Sequence, residues 1–241
     1  KGGKVKKMNV KLIALVTVTV ALLSFQGSQA ADKRDLSIYG NFRMALNKLN
    51  TQTGATVSTN GLEIVNNASR LGFMGGEKRE KVSFHYKLEL GAVNDDDTSG
   101  SGLTPRFYWG LVKTQYGQLM MGRLSTPYKM AGLQLDPFYD TSAGATNAGA
   151  NFGLSSLTNG FTNDSLVYTS PKIFNYLNLT AGVYIDDADT DQNDYSFGAK
   201  LTVNSLNFQL HYLSTHPSSV IANSTLSRDA LRFTLNYDYK N

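Results

Sequence analysis

Residues 82–90 read VSFHYKLEL, and this stretch decides the fold of the chain. Apolar side chains at its even positions alternate with polar or charged ones at its odd positions, a period of two that is typical of a β-strand with two different faces. The strands that show this alternation are about 9 to 11 residues long, the length that a tilted strand needs to cross a bilayer, whereas soluble strands average about 5 to 6. The same alternation recurs in residues 36–46, 177–183, 195–204, 206–212 and 231–239.

The connections between these strands alternate in length along the chain. Short turns are predicted at residues 76–81, 114–117, 172–175 and 205. Long polar connections are predicted at residues 48–65, 94–104, 125–163, 186–194 and 215–228. Short turns at one end and long loops at the other are the layout of an outer-membrane barrel. Because every backbone amide must be paired in lipid, the sequence predicts an all-β protein, an antiparallel transmembrane β-barrel with ten strands present in this chain.

Composition excludes several classes of function. The chain has 41% hydrophobic and 17% charged residues, with 13 Tyr and 12 Phe, which is too apolar for a disordered protein. It has no Cys and three His, so disulfide scaffolds and thiolate chemistry are excluded. The formal charge is +4, but five Lys lie in the first eleven residues, and the rest of the chain carries 18 basic and 19 acidic residues. No nucleic-acid partner is therefore expected.

The N-terminal segment has the features of an export signal. Met8 is followed by Lys11, by an unbroken apolar stretch over residues 12–23, and by Ser28 and Ala30 at the positions that a signal peptidase requires. Residues 8–30 are therefore predicted to be a signal peptide, since 12 apolar residues are too few for a transmembrane helix. Residues 1–7 are interpreted as translated upstream sequence, and residues 31–241 as the exported domain.

Four short segments carry a more specific signal. They read LSIYG (36–40), SRLGFMG (69–75), YGQLMMGR (116–123) and NDSLVYTSP (163–171). In this order behind a signal peptide, they resemble the general bacterial porins of Gram-negative outer membranes. The resemblance implies a homotrimer of 16-stranded barrels, each with a water-filled lumen that a long third loop narrows by folding inward. It also implies contacts with outer-membrane lipids and lipopolysaccharide.

The predicted barrel domain has fewer strands than the barrels of that family. Ten strands are counted against 16, and the chain ends on Asn241 where family members close on a Phe. We therefore expect the C-terminal strands to be missing from residues 31–241. The expected function is passive diffusion of small hydrophilic solutes and ions through the channel, without catalysis.

Basic residues are predicted along one wall of the constriction. The alternation places Asn41, Arg43 and Arg70 on the polar face, which would line the lumen. In the family, arginines at the positions of Arg70 and Arg123 line this wall. Arg123 has the parity of the lipid face, so it reaches the lumen only if the strand ends or bulges at Gly122.

The acidic side is predicted on the long connection at residues 125–163. Asp136 and Asp140 are its acidic residues, and a loop of this length needs a functional reason. Folded into the pore, they would face Arg43, Arg70 and Arg123 and create a transverse field that favours polar solutes. The alternative is that both acids cap turns in water. The other residues predicted to face the lumen are Asn41, Lys87, Glu89, Thr169, Lys200 and Arg232.

Cofactor and metal sites are not expected. Asp187, Asp189 and Asp191 imitate the start of a calcium loop, but Gln192 stands where the loop requires Gly. Two alternatives to a porin stay open. His85 and His211 share the lumen face, which would suit an outer-membrane hydrolase, although no nucleophile motif accompanies them. A secreted soluble β-sandwich that acts as a binding module would also have alternating strands.

Overall fold

The structure is built almost wholly from β-strands. The computed structural model describes residues 34–53, 56–92, 102–140, 161–185, 193–216 and 228–239. The predicted upstream segment, the signal peptide and the acidic stretch at 187–192 lie outside these ranges. Within them, no helix has the length and apolar character to cross a membrane.

Twelve strands and a short helix make up these ranges. The elements are β1 (Arg34–Asn41), β2 (Met44–Thr53), β3 (Thr56–Asn66), β4 (Arg70–Arg79), β5 (Val82–Ala92), β6 (Leu103–Thr114), β7 (Gly117–Leu124), α1 (Pro127–Leu133), β8 (Thr162–Thr169), β9 (Leu177–Tyr184), β10 (Asp194–Val203), β11 (Leu206–Thr215) and β12 (Arg228–Tyr237).

Ten of the strands form one antiparallel sheet, which confirms the predicted number. Its order is β1-β4-β5-β6-β7-β8-β9-β10-β11-β12, and β2 and β3 form a separate hairpin. The hairpin continues the β1–β4 pair, because Asn41 pairs with Arg70 and Met44 then pairs with Asn66. The chain therefore forms two long paired strands, β1 followed by β2 and β3 followed by β4. Both are interrupted at the same level, at residues 42–43 and 67–69.

The prediction of a long polar connection at residues 48–65 is wrong. Most of this segment belongs to β2 and β3, whose pairing runs from Met44 and Asn66 to Thr53 and Thr56. The segment is rich in Thr and Val, which favour strands. It lies outside the ten-stranded sheet and has no continuous apolar face, so the alternation that marks the other strands is absent.

Exposure on the sheet is the reverse of that in a soluble protein. On β12, Leu231, Phe233 and Leu235 are 68%, 57% and 56% exposed, whereas Arg232 and Thr234 are 6% and 5% exposed. An apolar outer face and a polar inner face are the pattern of a barrel wall in lipid. This pattern contradicts the β-sandwich alternative, which would bury the apolar faces between two sheets.

The sheet curls so that its polar face is concave. Lys87 of β5 and His211 of β11 line one cavity, although six strand-to-strand steps separate these strands. In a flat sheet the two strands would be roughly 29 Å apart. The helix α1 packs on the concave side against β10, β11 and β12. Residues 125–140, the first described part of the predicted third loop, therefore fold inward; we term them the loop segment.

The sheet that these residues form is open, with β1 and β12 as its edges.

Candidate functional site: a charge cluster between the sheet and the loop segment

Asp140 joins the end of the loop segment to the inner face of the sheet. Its Oδ2 lies 2.7 Å from Nη2 of Arg70 and 3.2 Å from Nη1 of Arg43. Its Oδ1 lies 3.8 Å from Nη2 of Arg106. Arg43 also donates a hydrogen bond of 3.3 Å to the backbone oxygen of Tyr139. One loop carboxylate thus contacts three arginines of the wall.

Glu89 on β5 is a second buried carboxylate, only 2% exposed. Its Oε1 lies 2.8 Å from Nε of Arg106, and its Oε2 lies 3.0 Å from Nζ of Lys87. Nη1 of Arg70 is 4.0 Å from Oε1, and the hydroxyl of Tyr39 donates to Oε2. Two of the arginines therefore bridge the two carboxylates. The inner charge cluster is defined as Arg43, Arg70, Lys87, Glu89, Arg106 and Asp140.

The cluster presents a positive surface to the concave space. It contains four cationic side chains and two carboxylates. The cationic side chains are 14–19% exposed, whereas the carboxylates are 3–7% exposed. A solute beside the cluster thus meets guanidinium and ammonium groups first, which attracts anions.

A row of paired residues across three strands positions the Glu89 carboxylate. Tyr39 of β1 pairs with Gly72 of β4, and Gly72 pairs with Glu89 of β5. A Cβ atom at position 72 would collide with the Tyr39 ring. Because Gly72 lacks that atom, the ring lies across β4 and its hydroxyl reaches the carboxylate. The sequence pattern predicted the face of Glu89 but not this contact with Tyr39.

The interruption between β1 and β2 positions Arg43. The backbone nitrogen of Arg43 donates to Oγ of Ser69 at 2.9 Å, and the same Oγ donates to the Arg43 carbonyl at 3.2 Å. The Asn67 nitrogen also donates to this carbonyl at 2.8 Å. The backbone is thus fixed where the regular ladder stops, and the side chain extends to the loop segment.

Arg106 was not predicted from the sequence, and a β-bulge explains why. Glu89 pairs with Phe107 and Leu90 pairs with Pro105, so Arg106 is an extra residue on β6. Strict alternation would place Arg106 on the outer face of the sheet. The bulge changes the direction of the side chain, so Arg106 lies on the inner face with Glu89. A proline inside a strand pattern is the signal that could have predicted it, because such prolines are confined to edges, strand starts and bulges.

The helix α1 is anchored to the wall opposite the cluster. Thr126 caps its N-terminus by accepting a hydrogen bond of 3.1 Å from the Lys129 nitrogen, and Pro127 occupies the first turn. Tyr128 is 7% exposed and packs into a small apolar core on the inner face. The other members of this core are Leu124, Val167, Tyr184, Leu213 and Ala230.

Arg232 of β12 holds the same helix by polar contacts. Its Nη1 donates hydrogen bonds of 2.6 Å to the Tyr128 carbonyl and 3.5 Å to the Lys129 carbonyl. Its guanidinium carbon lies 4.0 Å from the centre of the Tyr128 ring. Arg232 was predicted to face the lumen, and here it contacts the loop segment rather than open solvent.

Lys129 adds a fifth cationic side chain beside the cluster. It is 6% exposed, and its Nζ lies 4.8 Å from the centre of the Phe161 ring. Burial, and then the positive charge of Arg106, lower the pKa of Lys129 to about 8, although Asp140 acts in the opposite direction. Burial raises the pKa of the neighbouring Tyr139, so that phenol stays neutral where Lys129 titrates.

The pKa of Lys129 predicts a pH dependence of the charge beside the cluster. A lysine is cationic below its pKa, so raising the pH through about 8 removes one positive charge. We expect the ratio of anion to cation permeability in planar bilayers to fall by roughly a quarter to a half from about pH 7 to about pH 9. The Lys129→Met variant should show a flat profile over this interval, and a slope equal to that of the wild type would contradict the assignment.

Arg123 does not meet the carboxylates of the cluster. Its Nη1 donates to Oδ1 of Asn163 at 2.6 Å and to the Phe161 carbonyl at 3.3 Å, and its Nε donates to the Pro105 carbonyl at 3.1 Å. Gly122 has a φ of +121°, and the β7–β8 register shifts directly after it, so a bulge is present there. Among the residues in view, the structure brings no carboxylate within ion-pairing distance of Arg123.

Asp136 and Asp140 have different roles. Oδ1 of Asp136 accepts a hydrogen bond of 2.9 Å from the Phe138 nitrogen, so Asp136 caps a turn of the loop segment. Each of the two alternatives predicted for these acids therefore holds for one of them: Asp136 caps a turn, and Asp140 contacts arginines of the wall.

The other predicted residues are distributed along the inner face. Lys87 and Glu89 belong to the cluster. Asn41 ends β1 opposite Arg70. Thr169 and Lys200 line the cavity between α1 and the sheet.

Comparison with known proteins agrees with this architecture. The model of the Gram-negative porin family matches residues 17–241. The chain belongs to this family. Its location is the outer membrane of a Gram-negative bacterium, in agreement with the apolar outer face of the sheet. No curated protein matches the sequence.

Solved structures of outer-membrane proteins share the fold. A loop-deletion mutant of OmpT, an outer membrane protein of Vibrio cholerae, has a TM-score of 0.59 at 16% identity over 86% of this chain and 66% of its own. An anion-selective porin from Comamonas acidovorans has a TM-score of 0.57 at 18% identity, over 84% and 62%. The outer membrane channel DcaP of Acinetobacter baumannii has a TM-score of 0.53 at 11% identity, over 78% and 55%. The chain thus spans 55–66% of the length of these proteins.

Proposed function

We propose that the protein is a non-enzymatic channel through which small hydrophilic solutes and ions diffuse passively across the outer membrane. The supporting observation is the path of the loop segment. Its helix packs on β10–β12, and its last residue, Asp140, is bound by arginines near the opposite edge of the sheet. A segment that crosses the concave face in this way would narrow an aqueous lumen.

The inner charge cluster would set which solutes pass the narrowing. Paired charges beside a narrow aqueous gap favour solutes with a dipole or a charge and disfavour apolar ones. The excess of cationic groups supports a preference for anions. The porin from Comamonas acidovorans, whose fold is similar, is described as anion-selective.

The assembly that we propose is a homotrimer embedded in outer-membrane lipid and lipopolysaccharide. The exposed apolar band, with Leu231 and Phe233 as examples, offers a surface for lipid and for a second copy. OmpT of Vibrio cholerae, which has a similar fold at 15% identity, is known in a trimer form.

The hydrolase alternative receives no support from the two histidines. Nε2 of His85 lies 3.3 Å from Oγ of Ser83, but no carboxylate in the described ranges orients this histidine. The His211 ring lies over Gly198, and its Nε2 is 3.4 Å from Oε1 of Gln209. A serine nucleophile requires a histidine base that a third group orients, and among the described residues neither histidine contacts both a serine hydroxyl and an orienting group.

Planar-bilayer recording of the full-length protein tests the proposed function. We expect stepwise increases of conductance as single channels insert into the membrane. Folded protein that inserts into liposomes and causes no leak of ions would overturn the proposal. A hydrolytic activity lost in His85→Ala, with conductance kept, would support the enzyme instead.

The Arg70→Ala variant is expected to become less selective for anions. Arg70 contacts both carboxylates of the cluster, so its loss removes a positive charge and leaves the carboxylates less neutralised. We expect the ratio of anion to cation permeability to fall by at least about twofold, as read from the reversal potential in a salt gradient.

Arg79→Ala is the matched control for this substitution. Arg79 ends the same strand, is 72% exposed in its side chain and pairs with Glu77 at the short-turn end. Its removal should leave the reversal potential nearly unchanged. Equal shifts in the two variants would show that overall charge, and not the cluster, sets the selectivity.

A further inference from the structure

A cavity of about 910 Å³ lies on the inner face beside α1. Its wall includes Thr114 and Gly117 at the β6–β7 turn and Ser170 and Pro171 after β8. These residues mark the short-turn end of the sheet, which faces the periplasm in outer-membrane barrels. The cavity therefore lies between the loop segment and the periplasmic mouth, apart from the contacts of Asp140.

The charged side chains that line this cavity are all lysines. They are Lys87, Lys113, Lys172 and Lys200, and none of the described residues that line the cavity is acidic. Lys87 is neutralised by Glu89 at 3.0 Å. For the other three, no carboxylate in the ranges that the structure covers lies within ion-pairing distance. Three cationic groups thus share one concave space without an opposite charge.

Neutral groups in the same wall suit a polar ligand. Gln118, Thr169, Asn178 and Thr180 provide amide and hydroxyl groups, and Trp109 provides an aromatic surface. The volume is within the range of small-molecule sites, about 300–1,000 Å³. Clefts lined by one sign of charge concentrate the opposite ion, and lysine ammonium groups bind phosphate and carboxylate oxygens as point charges.

We propose that this cavity is a binding site for small organic or inorganic polyanions, with two or more phosphate or carboxylate charges. The site holds the anion on the periplasmic side of the loop segment, so that its flux saturates while chloride and neutral solutes pass freely. This inference rests on the proposed channel function and adds to it a ligand class and a place.

Block of the chloride current by added polyanions tests the site. The full-length protein is inserted into planar bilayers in KCl, and pyrophosphate or citrate is titrated from either side, with glucose as the neutral comparison. We expect both polyanions to reduce the current at lower concentration from the short-turn side, and glucose to have no effect. In the Lys113→Gln/Lys200→Gln variant, the half-blocking concentration should rise at least about tenfold.

Variants separate the site from general charge effects. Lys78→Gln/Lys81→Gln removes two exposed lysines outside the cavity, so polyanions should block the current of this variant as they block that of the wild type. Lys113→Arg/Lys200→Arg keeps both charges and should retain the block. If pyrophosphate alone blocks, the site takes phosphates and not carboxylates, which narrows the ligand class.

The outcomes that overturn the inference differ from those that overturn the channel. The site would be refuted, and the channel left intact, if the protein conducts normally but polyanions do not block it. The same conclusion would follow from equal block in the Lys113→Gln/Lys200→Gln and Lys78→Gln/Lys81→Gln variants. Absence of any conductance from the folded protein would refute the channel, and the site with it. Calorimetric titration of pyrophosphate into detergent-solubilised protein gives a second measurement that does not depend on conductance.

Discussion

Replacement of Glu89 by glutamine is expected to destabilise the folded protein by about 3–5 kcal/mol, the cost of breaking a buried ion pair by removing one partner. The Glu89 side chain is 3% exposed and accepts contacts from Lys87, Arg106 and Tyr39. Glutamine has nearly the same shape, so the loss would come from charge and not from packing. The cationic partners would stay in place, 14–19% exposed, with less negative charge to stabilise them.

Glu77→Gln is the matched control for Glu89→Gln. Glu77 is on the neighbouring strand β4, and its one ion pair is with Arg79, whose side chain is 72% exposed. Exposed ion pairs contribute about 0–1 kcal/mol, so this variant should unfold like the wild type. Urea titration of the protein in lipid vesicles, followed by the change in gel mobility on unfolding, measures both. Equal midpoints for the two variants would mean that Glu89 does not hold the cluster together.

The faces of the inner charge cluster could be predicted from the sequence, because a strand repeats every two residues. Arg70, Lys87 and Glu89 were placed on the polar face by parity alone, and the structure has them there. Periodicity has no information about distance across the lumen. The contact between Asp140 and Arg43 joins residues 97 positions apart, and its geometry depends on how far the sheet curls.

Local departures from regular strands explain the residues that the pattern missed or misplaced. At Arg106 a bulge reverses the face that alternation assigns. At Arg123 a bulge is also present, but the guanidinium donates its hydrogen bonds to Asn163 and to backbone carbonyls, and it does not contact Asp140 or Glu89. The hairpin of β2 and β3 was missed because its exposed apolar residues, Leu46, Leu62 and Ile64, lie only near its base, and no apolar alternation runs through residues 48–61. Sequence periodicity is reliable here only where one face must meet hydrocarbon.

Loss of Arg232 is expected to change the conducting pathway strongly. Its side chain joins β12 to the helix α1 by two hydrogen bonds to carbonyls and by stacking on Tyr128. Hydrogen bonds to a charged group contribute about 1.5–3 kcal/mol, and a desolvated cation–π contact about 2 kcal/mol or more. The Asp140 end of the loop segment is held by other residues, so loss of Arg232 would free the helix end alone.

We therefore expect Arg232→Met to form channels with a larger mean conductance and several-fold more open-channel noise. Methionine keeps the unbranched apolar part of the side chain but removes the hydrogen-bond donors, the charge and the stacking on Tyr128. Arg232→Lys keeps the charge but lacks the planar guanidinium with its several donors, so its open-channel noise should lie between those of Arg232→Met and the wild type. Single-channel recording at fixed voltage measures both the mean and the variance of the current.

Thr234→Val is the matched control on the same strand and the same face. Thr234 is 5% exposed, and its Oγ1 has no hydrogen-bond partner among the residues that the structure describes, so valine removes a polar atom that does not hold the helix. Removal of a buried unpaired hydroxyl is neutral or stabilising, and the current of this variant should match the wild type. If Arg232→Met were as quiet as Thr234→Val, the packing of Tyr128 in the inner apolar core would suffice to hold α1. The width of the pore would then depend on apolar contacts and on the Asp140 ion pairs alone.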